Sequence, residues 1–142
     1  VAFSSDFSTN AEQPDLFWLE RIQNLGDQGT IFFAEHDHSL VGMCGIQQGY
    51  SIKTRHSGLI WGVYVKLAWR GVRIAENLIE ACIEWGKGHA VTVVKLGVAA
   101  TNMSAIRCYI RCGFSVYGIE PQAIQYENKM YDELLMAREI RK

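Results

Sequence analysis

The 142-residue chain contains no run of roughly eighteen apolar residues, which excludes a membrane-spanning helix. Its first residues lack the basic-then-apolar order of a secretory leader. Charge of one sign is missing too. Fourteen Lys and Arg stand against 15 Asp and Glu, a formal net charge of -1, so broad electrostatic attraction to nucleic acid or an anionic membrane is not expected. The four cysteines, Cys44, Cys82, Cys108 and Cys112, form no CxxC pair, which argues against a zinc site or a disulfide framework. They read as reduced core thiols of a soluble, cytoplasmic protein. No repeat or low-complexity segment is present, and the G-K-[ST] that a nucleotide-binding P-loop needs is absent.

What remains is an ordinary globular composition, 49% hydrophobic and 20% charged, in a chain suited to one domain. The stretch from Trp69 to Ala75 organises it. Before the stretch, Leu59 to Val65 is almost wholly apolar, the pattern of a strand buried on both faces. After it, Ile74, Ala75, Leu78, Ile79, Cys82 and Trp85 recur at helical spacing, with Arg73, Glu76, Asn77, Glu80 and Glu84 on the other face. A glycine-containing turn between strand and helix presents the first helical amides, which lack intrahelical acceptors, at the positive end of the dipole. That is a site for a phosphate.

In chain order, residues 1–10 read as irregular, and a short helix is expected from Pro14 to Gly26. Ile31 to Glu35 and Leu40 to Ile46 flank the polar turn His36 to Ser39, a hairpin pattern. The polar stretch from Gln47 to Ser57, a loop or a strand end, leads into the apolar strand at Leu59. The helix after the turn should end near Gly86 or Gly88. Val91 to Ala100 is a further strand, parallel to its predecessor because a helix joins them. Thr101 or Asn102 caps a helix from Ser104 to Cys112, which Gly113 ends. Phe114 to Tyr117, a loop around Pro121 and Lys129 to Arg138 suggest late antiparallel strands. The fold class is mixed α/β: a mostly antiparallel sheet with one central parallel step, flanked by helices.

Two motifs resemble those of the GCN5-related N-acetyltransferases. One is R/Q-x-x-G-x-G/A after a central strand, here Arg70, Gly71, Val72, Arg73, Ile74 and Ala75. The other is N-x-x-A-x-x-x-Y followed by G-F, here Asn102, Ala105, Tyr109, Gly113 and Phe114. Together they cover roughly Leu40 to Arg138, within a single acetyltransferase domain of residues 1–142. The sequence departs from the family pattern at Arg73, where glycine is usual, and before Pro14, where a strand and helix are usual. The second departure implies a trimmed domain, or cover from a neighbouring subunit in a homodimer.

The resemblance implies a direct transfer of acetyl from acetyl-CoA to a primary amine in a ternary complex. Residues 71–75 would hold the pyrophosphate with Arg70 beside it, and the backbone of Val63, Tyr64 and Val65, splayed by a bulge, would face the thioester and pantetheine. Asn102 and Ser104 would contact the pantetheine arm, and the Tyr109 hydroxyl would protonate the departing thiolate. The acceptor is a small-molecule or peptide amine of unspecified kind. Glu35, His36, His38 and His56 are candidates for a general base, with water as the alternative. A rival reading, motivated by Arg73 and the short N-terminus, is a non-catalytic acyl-CoA sensor on the same fold.

Overall fold

A computed structural model describes residues 28–71 and 73–140. The helix expected from Pro14 to Gly26, the irregular residues 1–10 and the question of an opening strand and helix lie outside the described residues. The observed order is β1 (Gly29–His36), β2 (Ser39–Gln48), β3 (Ser57–Val65), a 3-10 turn (Leu67–Trp69), α1 (Ile74–Gly88), β4 (Val93–Ala99), α2 (Met103–Arg111), β5 (Ser115–Tyr126) and β6 (Lys129–Glu139).

The strands form one sheet in the order β1-β2-β3-β4-β6-β5, parallel only between β3 and β4. β1 and β2 make the expected hairpin. Asp37 and His38 at its tip both take positive φ, as a two-residue turn matched to strand twist requires. α1 forms because Leu78, Ile79, Cys82 and Ile83 fall on one face at helical spacing, and all four are buried. They meet Cys44 and Ile46 of β2, Ile60 and Val63 of β3, Val94, Leu96 and Val98 of β4, and Met136 of β6 in one core. Ile106, Tyr109 and Cys112 extend that core beneath α2 and its C-terminus. Gly113, at φ 89°, ends the segment in the left-handed conformation that glycine enters without steric cost. Arg138 of β6 donates to Glu80 at 2.8 Å and to the Cys112 carbonyl at 2.8 Å, tying both helices to the sheet.

Two expectations need correction. Pro121 does not sit in a loop between strands: β5 runs through it from Ser115 to Tyr126. The register slips between Glu120 and Ile124, and β5 is the outermost strand, so a residue without an N–H sits in an irregularity at an edge. Nor is β3 buried on both faces. Ile60, Val63 and Val65 are buried, whereas Leu59 is 51% exposed.

β3 positions the site. Its pairing with β2 slips between the partners of Met43 and Gly45, so that Gly62 and Val63 together oppose Cys44, and Gly62 takes φ 64°. This is a bulge. On the other side β3 pairs with β4 only at Ser57, Gly58 and Leu59, after which the strands part. Past that point the backbone of β3 faces a gap in the sheet rather than a neighbouring ladder.

Candidate active site

A cleft of about 370 Å³ opens where β3 leaves β4, between the N-terminus of α1 and α2. Val63 and Val65 line it from β3, residues 69–71 from the turn, 73–76 from the start of α1, and Asn102, Ser104, Ala105, Cys108, Tyr109 and Arg111 from α2. Ten of the sequence-derived candidates therefore meet in one place. Two do not line it. Val72 lies outside the described residues, and the Tyr64 side chain points to the other face of β3, where it packs with Ile31 and Met43.

Each wall has a local cause. Gly71 takes φ 86°, and a Cβ on it would meet nothing within 4 Å, so the turn leaves open space beside its backbone. Arg73 is the residue before α1 and sits at φ 65°, ψ 21°. The position at which the motif usually has glycine is thus held in the conformation for which glycine is the ordinary choice. Among the described residues no side chain caps α1, so its first amides face the cleft at the positive end of the dipole. Arg70 lines the cleft while its Nε donates to the Val65 carbonyl at 2.9 Å and its guanidinium lies 5.9 Å from the Tyr64 ring centroid. That bond ties the turn to the end of β3.

On the opposite wall, Asn102 Oδ1 accepts from the Ala105 amide at 3.2 Å, capping α2. Tyr109 is 4% exposed, and its ring meets Phe114 edge-on at 6.3 Å. Burial, with the nearby thiols of Cys44, Cys108 and Cys112, raises its hydroxyl above the ordinary phenol range, so it stays protonated at neutral pH. Among the described residues no hydrogen bond reaches that hydroxyl, an unusual state for a buried polar group. Four residues the motifs did not flag also border the cleft: Trp69, Glu76, Cys108 and Arg111. Arg111 Nε donates to Glu76 at 3.0 Å, joining α2 to α1 across 35 positions of sequence, a pairing with no local signal.

A second cavity of about 150 Å³ adjoins it in the gap between β3 and β4. Leu59 to Val63, Leu96 to Ala99, Tyr109 and Glu133 line it, so Val63 and Tyr109 border both spaces. Glu35, His36, His38 and His56 line neither. His36 instead lies 3.2 Å from Asp37 and packs against Trp69 at 4.5 Å between ring centroids. The cysteines are all free and buried, and among the described residues no cluster of three or more metal-binding side chains occurs. No helix among the described residues is long and apolar enough to cross a membrane.

The fold agrees with the comparisons. The family model described as the acetyltransferase (GNAT) family matches residues 2–114, and the chain belongs to that family. Its members transfer acetyl groups with acetyl-CoA as co-substrate. A ribosomal-protein-alanine N-acetyltransferase from Brucella melitensis is 26% identical, covering 96% of this chain and 80% of its own, with a TM-score of 0.76. A GNAT acetyltransferase from Streptococcus pneumoniae is 21% identical over 89% of this chain and 75% of its own, at a TM-score of 0.78. The Salmonella typhimurium protein yncA, solved with its cofactor acetyl-CoA, is 22% identical over 97% and 76%, at 0.77. The last two likenesses show the fold alone. No curated protein matches the chain in sequence.

The residues present suit acetyl-CoA. A helix N-terminus without a cap hydrogen bond from Arg73, beside an open glycine turn, is chemically suited to a diphosphate, and the buried Tyr109 hydroxyl on the same cleft has no hydrogen-bond partner among the described residues.

Proposed function

We propose that the protein is an N-acetyltransferase that moves acetyl from acetyl-CoA directly to a primary amine, both substrates being bound together. The observation that carries this is the meeting of two spaces at Val63 and Tyr109, one walled by the α1 N-terminus and one reaching into the gap in the sheet. A donor held in the first and an acceptor in the second would come into contact there without an enzyme-bound acetyl group.

When bound, acetyl-CoA supplies the activated thioester. The amides of residues 73–76, with Arg70 and Arg73, hold the pyrophosphate, and Asn102 and Ser104 border the pantetheine arm. The backbone of β3 past Leu59, unpaired on its β4 side, provides N–H groups for the carbonyl oxygen, and one such donor is worth about 3 kcal/mol of barrier. Tyr109, protonated and buried, gives its proton to the departing sulfur.

Thiol release from acetyl-CoA, followed with spermidine, L-lysine, kanamycin and an alanine-led dipeptide, tests the reading. Amine-dependent release with at least one of them is expected, together with thermal stabilisation by acetyl-CoA and CoA but not ATP. Stabilisation by CoA with no turnover of any amine would instead establish the acyl-CoA sensor.

A further inference from the structure

Glu133 belongs to neither motif. On β6 its register partner is Ala99 of β4, and the neighbouring pairs are Val98 with Leu134 and Leu96 with Met136. Val98, Leu96 and Met136 lie in the core beneath the helices, so strand alternation puts Glu133 on the opposite face of the sheet. Yet Glu133 lines the same cavity as Tyr109, which comes from the helix side. The cavity therefore passes through the sheet, and this is where β3 and β4 have parted. Gly97 makes the passage: its missing side chain is replaced by the Glu133 carboxyl, with which a Cβ at that position would collide.

We propose that Glu133 receives the proton of the acceptor's ammonium group, the amine entering from the face of the sheet opposite the helices. The inference rests on the acetyltransferase reading above. Among the described residues the carboxylate has no ion-pair or hydrogen-bond partner, so it is not consumed by structure. A volume of about 150 Å³ admits the end of an amine rather than a whole drug-sized molecule. Among the described residues the titratable groups around Glu133 are Glu120, its register partner on β5, Tyr131 two residues away on the same face of β6, and Tyr109 on α2. β3 brings only Leu59 to Val63 to the cavity and β4 only Leu96 to Ala99, with Lys95 further along the Gly97 face. Burial, then the Glu120 charge, raises the Glu133 carboxyl above the usual carboxylate range, in the direction that makes it a better proton acceptor.

The step balances. The ammonium nitrogen loses one proton to Glu133, and its freed electron pair forms the bond to the thioester carbonyl carbon as the carbon–sulfur bond breaks. The sulfur takes the Tyr109 proton, a second proton from nitrogen restores Tyr109, and Glu133 releases its own to solvent. The overall products are the amide, CoA thiol and one proton.

Glu133→Gln tests this, read with the best amine of the four named above. Acetyl-CoA binding should be unchanged, kcat near pH 7 should fall by about 10²-fold or more, and the deficit should narrow as pH rises and free amine becomes available without assistance. Glu133→Asp should keep part of the activity and the wild-type form of the pH profile. Independently of turnover, the ligand-free wild type should gain stability relative to Glu133→Gln as pH is lowered. Wild-type turnover and an unaltered profile in the Gln variant would overturn the role of Glu133 and leave the acetyltransferase reading standing. Absence of thiol release by the wild type with every amine would overturn both.

Discussion

Arg73→Gly should move stability and cofactor affinity in opposite directions. Arg73 sits at φ 65°, where a side chain costs about 1–2 kcal/mol. Glycine removes that strain, but its added freedom in the unfolded chain returns about 0.5–1 kcal/mol of the gain. The net is a stabilisation of about 0.5–1 kcal/mol, or roughly 2–4 °C in Tm for a chain of this size. The side chain is exposed on the cleft wall, so its charge contributes through solvent, about 0.5–1 kcal/mol toward a pyrophosphate at the α1 N-terminus. CoA should therefore bind roughly two- to fivefold more weakly, and less so at high salt. Arg73→Ala separates the effects, since it loses the charge and keeps the strain. Thermal unfolding of the ligand-free variants and calorimetric titration with CoA at two salt concentrations read both quantities. Equal Tm for the Gly and Ala variants would refute the backbone reasoning, and wild-type CoA affinity in both would refute the electrostatic part.

Tyr109→Phe should lower turnover by about 10²-fold while leaving CoA affinity and folding stability nearly unchanged, because no hydrogen bond among the described residues is lost; chemistry-limited kinetics at the wild-type rate would remove Tyr109 from the mechanism. Ile79→Ala, at a side chain with 0% exposure between α1 and the sheet, should cost about 2–5 kcal/mol in urea unfolding. Glu133→Gln should melt above the wild type at neutral pH. The folded carboxyl holds its proton to higher pH than the unfolded one, so the wild type's advantage exists below the unfolded value, about pH 4, and is lost as pH rises through the folded value. The gap between the two should close on acidification, and a constant gap from pH 4 to 8 would contradict the shift.

Elements whose signals are local were legible in the sequence. Leu78, Ile79 and Cys82 mark the buried face of α1 by spacing alone, and the two residues at the tip of the β1–β2 hairpin carry the polar character that positive φ tolerates. Pro121 misled because proline interrupts a central strand but not an edge one, and whether β5 is an edge depends on strand order. Leu59 misled for a related reason: an apolar run signals burial, whereas which face is covered depends on what packs there. The histidines and Glu35 had suitable chemistry, yet none borders either cavity.

The sequence by itself determined the turn and the helix that carries Tyr109, because glycine placement, caps and helical spacing act over a few residues. It also carried the family. Only the tertiary structure decided that the α1 N-terminus faces Tyr109 across one cleft, that β3 leaves β4 after Leu59, and that Glu133 reaches through the opening over Gly97. Those relations join residues about 35 positions apart, Ile74 with Tyr109, Leu59 with Lys95 and Gly97 with Glu133, and they follow from bulge, register and strand order, which no local pattern encodes.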